Sequence, residues 1–146
     1  MFDRILVAVD GSSGALQALD AAIEVQKKFE AELLLLCVYR HHSQLEASMS
    51  MVRPEAPAAP VDKSMEEYAR SVVEQAKDHA AKAGASSVRG FVKAGHPSRT
   101  IVKFAKDRDA KMIVVGSRGL GDIEGFLPGG ASHKVSCLAE CPVLVI

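Results

Sequence analysis

Four stretches of this chain are apolar at consecutive positions instead of alternate ones: Ile5-Leu6-Val7-Ala8-Val9, Leu33-Leu34-Leu35-Leu36-Cys37-Val38, Met112-Ile113-Val114-Val115 and Val143-Leu144-Val145-Ile146. A strand of this kind must be covered on both faces, and the interior of a parallel sheet provides that cover. The leucine run would also suit a helix, but its length and its place after a helical segment decide for a strand. A further short strand, third in chain order, is expected over Val88 to Val92.

Helical periods separate these strands. Ser13 to Phe29 repeats apolar residues at Leu16, Leu19, Ile23 and Val25 or Gln26, with Ser12 or Ser13 as N-cap. Ser64-Met65-Glu66-Glu67 has capping-box spacing and predicts a helix that begins there. It runs on through Tyr68, Val72, Ala76 and Ala80 to end near Gly84. Gly95-His96-Pro97 opens a third helix with Ile101, Val102 and Ala105 inward. Ser132 to Leu138 forms a fourth. The segment from Arg40 to Val61 has no period and carries Pro54, Pro57 and Pro60, so it is expected to be a long connection. Alternating strands and helices joined by right-handed crossovers give a doubly wound α/β fold: a five-stranded parallel sheet flanked by four helices. A length of 146 residues fits one domain spanning 1–146.

Bulk properties exclude several roles. Eighteen basic side chains balance eighteen acidic ones, which leaves no electrostatic footprint for nucleic acid or an anionic membrane surface. The start, Met1-Phe2-Asp3-Arg4-Ile5, is charged too early for a signal peptide, and no apolar run approaches membrane-spanning length. The expected location is therefore the cytoplasm. Of the three cysteines, Cys137 and Cys141 lie four apart near a helix end and are expected to be small buried hydrophobes, since two ligands do not complete a zinc site.

In open parallel sheets, ligands lie outside the carboxyl ends of the strands. Two loops there are chemically unusual: Asp10-Gly11-Ser12-Ser13, and a run from Gly116-Ser117-Arg118-Gly119-Leu120-Gly121 through Gly125, Gly129 and Gly130. Such glycines let backbone amides approach an anion that a Cβ would fend off, and the following helix adds unpaired amides. Arg118 would screen phosphate charge, and Ser117 and Ser132 would donate hydroxyls. Asp10 is equally a turn or capping residue and a ligand; beside phosphates it would need a metal ion, and otherwise it would face base or ribose. His41 and His42 lack a third ligand nearby, and His79, His96 and His133 are expected at surface or capping positions. No Gly-Lys-Ser or Gly-Lys-Thr follows the glycines, and the first turn is not Gly-x-Gly-x-x-Gly, so P-loop hydrolysis and dinucleotide binding are disfavoured. No nucleophile has an evident base, and binding is better supported than turnover.

Val7-Ala8-Val9-Asp10-Gly11-Ser12, Val114-Val115-Gly116-Ser117-Arg118-Gly119, Gly129, Ser132-His133-Lys134-Val135 and Cys141-Pro142-Val143-Leu144-Val145 together resemble a universal stress protein along essentially the whole chain. The resemblance implies an adenine nucleotide alpha hydrolase-like, Rossmann-like fold with strand order 3-2-1-4-5. Gly116, Gly119 and Gly129 match the glycine spacing of the ATP-binding branch, whereas Gly130 stands where that pattern has serine or threonine. Carried over residue by residue, the resemblance implies that Asp10 and the backbone at Val38 meet adenine, with Ala8 and Val115 packed around it. Gly116, Gly119, Gly129, Gly130 and Ser132 would surround ribose and phosphates, with Ser117, Arg118 and Ala131 alongside. The expected ligand is ATP with or without Mg²⁺, AMP or another adenine nucleotide being the alternative. A homodimer through the strand 143–146 is also expected, because an apolar edge strand invites pairing with a second copy. The segment from His41 to Glu55 is similar to that of universal stress proteins associated with TRAP-type solute transporters, which implies a partner. The competing expectations are a slow ATPase or nucleotidyl-transfer enzyme, suggested by Asp10, and a nucleotide-free interaction protein, suggested by Gly130.

Overall fold

The computed structural model describes residues 1–40, 59–118 and 130–146. In chain order these form β1 (Arg4–Ala8), α1 (Ser13–Phe29), β2 (Glu32–Tyr39), α2 (Ala59–Lys82), β3 (Val88–Ala94), α3 (Pro97–Asp107), β4 (Met112–Val115), α4 (Gly130–Leu138) and β5 (Val143–Val145). The five strands pair in parallel in the order β3-β2-β1-β4-β5. The expected fold class and strand order are therefore both found, with β1 central and β5 at one edge.

The consecutive apolar runs divide between the two faces by the strand period of two. Ile5, Val7, Leu33, Leu35 and Cys37 face the side covered by α1 and α2, whereas Leu6, Leu34, Leu36, Ile113 and Val115 face α3 and α4. Most of these side chains are wholly excluded from solvent, and each large one contributes about 1.5 to 3 kcal/mol of transfer free energy.

Three local expectations are corrected. The second helix begins at Ala59, so Ser64 to Glu67 lies inside it and not at its start, and the connection ends before Val61. Pro60 does not prevent this, because the first helical turn has no amide bond to lose. Leu16 is 44% exposed, and α1 instead buries Ala15, Ala18, Leu19, Ala22, Ile23 and Gln26. Likewise Tyr68 is exposed and Ala69 takes the interior position on α2. Small residues win these contacts because the helices lie close on the sheet. At Gly90 of β3, an added Cβ would run into Cγ1 of Val73.

Candidate functional site

β1 leads into α1 on one face of the sheet, while the chain beyond β4 resumes as α4 on the other. Connections that diverge in this way open a crevice above the strand ends. A cavity of about 1070 Å³ occupies it.

Every described residue that the sequence singled out for binding lines this cavity: Ala8, Asp10, Val38, Val115, Gly116, Ser117, Arg118, Gly130, Ala131 and Ser132. Gly119 and Gly129 lie outside the described residues, as do His41, His42 and the transporter-like segment. Ala8, Val38, Val115, Leu36 and Ile101 supply apolar surface, and Ser132 is 4% exposed with its Oγ 3.4 Å from the carbonyl of Ser117.

The turn after β1 is fixed by its own polar atoms. Oδ1 of Asp10 accepts from the backbone N–H of Ser12 at 2.9 Å and from the Ser12 hydroxyl. Ser12 Oγ in turn accepts from the amide of Ala15 at 3.2 Å and caps α1. Asp10 is thus a turn residue that also stands in the cavity wall. Gly11 completes the turn with φ 86°, a conformation that favours glycine.

Gly116 serves a purpose the sequence did not suggest. A Cβ there would lie 2.8 Å from the carbonyl carbon and oxygen of Gly14, and one on Gly14 would lie 2.7 Å from the carbonyl oxygen of Arg118. These glycines let the exit of β4 rest directly on the first turn of α1. At Gly130 nothing among the described residues stands within 4 Å of an added Cβ.

Sequence reasoning missed several wall residues, including Tyr39, Arg40, Met65, Tyr68, His96, Ser98 and Lys134. His96 holds the N-cap position of α3, yet its ring caps nothing; Nδ1 lies 3.1 Å from the hydroxyl of buried Ser98. Desolvation against its surroundings and then the positive charges of Lys134, Arg40 and Arg99 hold its pKa below the ordinary histidine value. The available signal was position alone, since Gly95-His96-Pro97 follows the carboxyl end of a strand.

Cysteine placement is a partial correction. Cys37 is buried beside the cavity, and burial, followed by the charge of Asp10, pushes its thiol up to about 11. Cys137, expected inside, is exposed near the end of α4 with Sγ 3.9 Å from His133 Nε2, and Cys141 is half-buried. His79, by contrast, sits at the surface, 2.6 Å from Asp20.

The universal stress protein family profile matches residues 1–146. The chain belongs to the universal stress protein family. A universal stress protein of Bacillus subtilis is 35% identical over 148 residues, covering 100% of this chain and 99% of its relative. Among solved structures, UspA from Lactobacillus plantarum superposes with a TM-score of 0.83 at 23% identity, covering 99% of this chain and 97% of that one. A universal stress protein solved in complex with cAMP gives 0.73 at 27% identity, covering 99% and 96%. Among the described residues of this universal stress protein, no helix is long and apolar enough to cross a membrane.

Proposed function

We propose that this universal stress protein is a regulatory module that binds an adenine nucleotide, ATP by preference, in the cavity above β1 and β4. The observation that carries this reading is the convergence of Asp10, Val38, Val115, Gly116, Gly130 and Ser132 on one wall-to-wall site. A relative of 27% identity solved with cAMP supports it.

Ala8, Val38 and Val115 would hold the base, with Asp10 beside it. The amides around Gly130 to Ser132, at the start of α4, would meet phosphate oxygens, and Arg118 would offset their charge. Asp10 is the sole carboxylate among the described wall residues, and its Oδ1 is engaged by Ser12. That donor set is too small for a protein-held Mg²⁺, so the ion would arrive on the phosphates. The Ser98–His96 pair does not favour turnover: among the described residues no carboxylate bonds the second ring nitrogen, as an orienting group would. Binding, a cytoplasmic location and a homodimer through β5 form one account. Similarity of the segment from His41 to Glu55 supports a TRAP-type transporter as the regulated partner.

Calorimetric titration of nucleotide-free protein with ATP tests this reading. Saturable one-site binding below millimolar ligand is expected, and loss of that binding on Val115→Trp, which fills the cavity, would locate it. Absence of heat for ATP, AMP and cAMP alike overturns it.

A further inference from the structure

Although the chain as a whole is neutral, the cavity wall is not. Among the described residues, Arg40, Arg118, Lys134 and His96 line it against one carboxylate, that of Asp10. Several basic side chains elsewhere are paired in place, as in Arg4 with Glu32, Arg70 with Glu66, Lys103 with Asp107, Lys106 with Glu140 and Lys111 with Asp109. Arg40, Arg99 and Lys134 form no ion pair among the described residues. Arg40, His96 and Lys134 line the same cavity from the end of β2, the start of α3 and α4, and the positive charges of Lys134, Arg40 and Arg99 act on His96. Like charges placed together without counter-charges repel one another, and an anion placed among them removes that repulsion.

The histidine at the centre has a defined chemistry. Ser98 Oγ stands 3.1 Å from Nδ1, and in the tautomer where the hydroxyl donates to Nδ1 the neutral ring carries its proton on Nε2 and is a donor there. Because Ser98 is buried, the ring orientation is held from inside the fold.

We infer that Arg40, His96 and Lys134 form a second anion subsite, which takes the distal phosphates of a nucleoside triphosphate and takes up a proton on His96 as it does so. This rests on the adenine-nucleotide reading above and extends it to a site no glycine motif marks. The subsite compensates for the hydroxyl missing at Gly130, because the distal phosphates gain charged donors from Arg40, His96 and Lys134. It also sets selectivity, since AMP and cyclic nucleotides have no distal phosphate to place there. The groups facing His96 are Arg40, Arg99, Lys134 and the Ser98 hydroxyl, so a proton is unfavourable on the free ring and becomes favourable once phosphate charge is present.

The test is calorimetric titration of wild type, His96→Asn and Arg40→Gln with ATP, AMP and inorganic tripolyphosphate. Titrations are run above and below the ordinary histidine pKa of about 6.5, in buffers of different ionisation heat. Either variant is expected to weaken ATP and tripolyphosphate about tenfold and leave AMP unchanged. Wild type is expected to take up more protons on binding ATP than His96→Asn does. Equal weakening of AMP and ATP, or identical proton uptake in both proteins, overturns the subsite. Tripolyphosphate binding that depends on His96 without any adenine-nucleotide binding would leave the subsite standing and overturn the nucleotide reading. Failure of every anion to bind overturns both. His96 is exposed, and unchanged thermal unfolding of the variants shows that lost binding is not lost fold.

Discussion

Gly14 and Gly116 bring the backbones after β1 and β4 into direct contact, such that a Cβ on Gly116 would stand 2.8 Å from the carbonyl carbon and oxygen of Gly14. Both loops of the cavity are therefore set by one close approach. Gly116→Ala is expected to destabilise the fold by about 1 to 3 kcal/mol, because backbone must move to admit the methyl group. Urea unfolding measures this, and a variant as stable as wild type would show that the two loops are not held together here.

Gly130→Ser makes the opposite prediction. Its Cβ, at the start of α4, meets none of the described residues, so stability should change by no more than about 0.5 kcal/mol. The added hydroxyl stands at the cavity wall, where a bond to charged phosphate would strengthen ATP binding up to about tenfold. Weaker ATP binding in this variant would mean that phosphate approaches the bare backbone of Gly130.

The edge position of β5 predicts self-association. One side of the strand pairs with β4, and the ladder continues from Ile146 N–H to the Val115 carbonyl at 3.0 Å. Val145, Ile146 and Leu138 nearby remain exposed. Light scattering should give a dimer for wild type and a monomer for Val145→Lys, because a charge on an edge strand opposes pairing. A monomeric wild type at micromolar concentration would contradict the dimer.

Acid sensitivity is expected from Glu32, at the base of β2. The Arg4 hydrogen bond at 2.8 Å, joined by Arg89 at 3.2 Å, holds its carboxyl below the ordinary carboxylate range although burial pushes it upward. A carboxylate depressed in the folded state stabilises above its unfolded pKa, and that contribution is lost as pH falls through the folded value. The arginine side chains are 40% and 55% exposed, so the effect should be about 1 kcal/mol or less. Glu32→Gln should flatten the pH dependence of stability below about pH 4.5, the unperturbed carboxyl value. An unchanged pH profile in that variant would discount the ion pairs.

The strands were legible because burial on both faces leaves only consecutive apolar residues, as at Leu33 to Leu36. The helices were legible as segments but less so as surfaces. Leu16 looks like core by size, yet Ala15 lies inside, since closeness of approach and not side-chain volume decides the contact. The spacing of Ser64 to Glu67 is a local signal overridden by a helix already under way at Ala59. Of the site, the parts contributed by continuous loops could be read: Asp10, Gly116, Ser132. His96, Arg40 and Lys134 could not, because they come from the start of α3, the end of β2 and α4, which only the sheet brings together.

An adenine nucleotide held in the cavity above β1 and β4 should remain with the protein through purification. Mass spectrometry of small molecules released from freshly purified protein tests it most directly, with Val115→Trp as the filled-cavity control. Wild type should release an adenine nucleotide, ATP foremost, in near-stoichiometric amount, and the folded control should release none. Equal release from both proteins, or no nucleotide from wild type together with no binding of added ATP, would contradict the account.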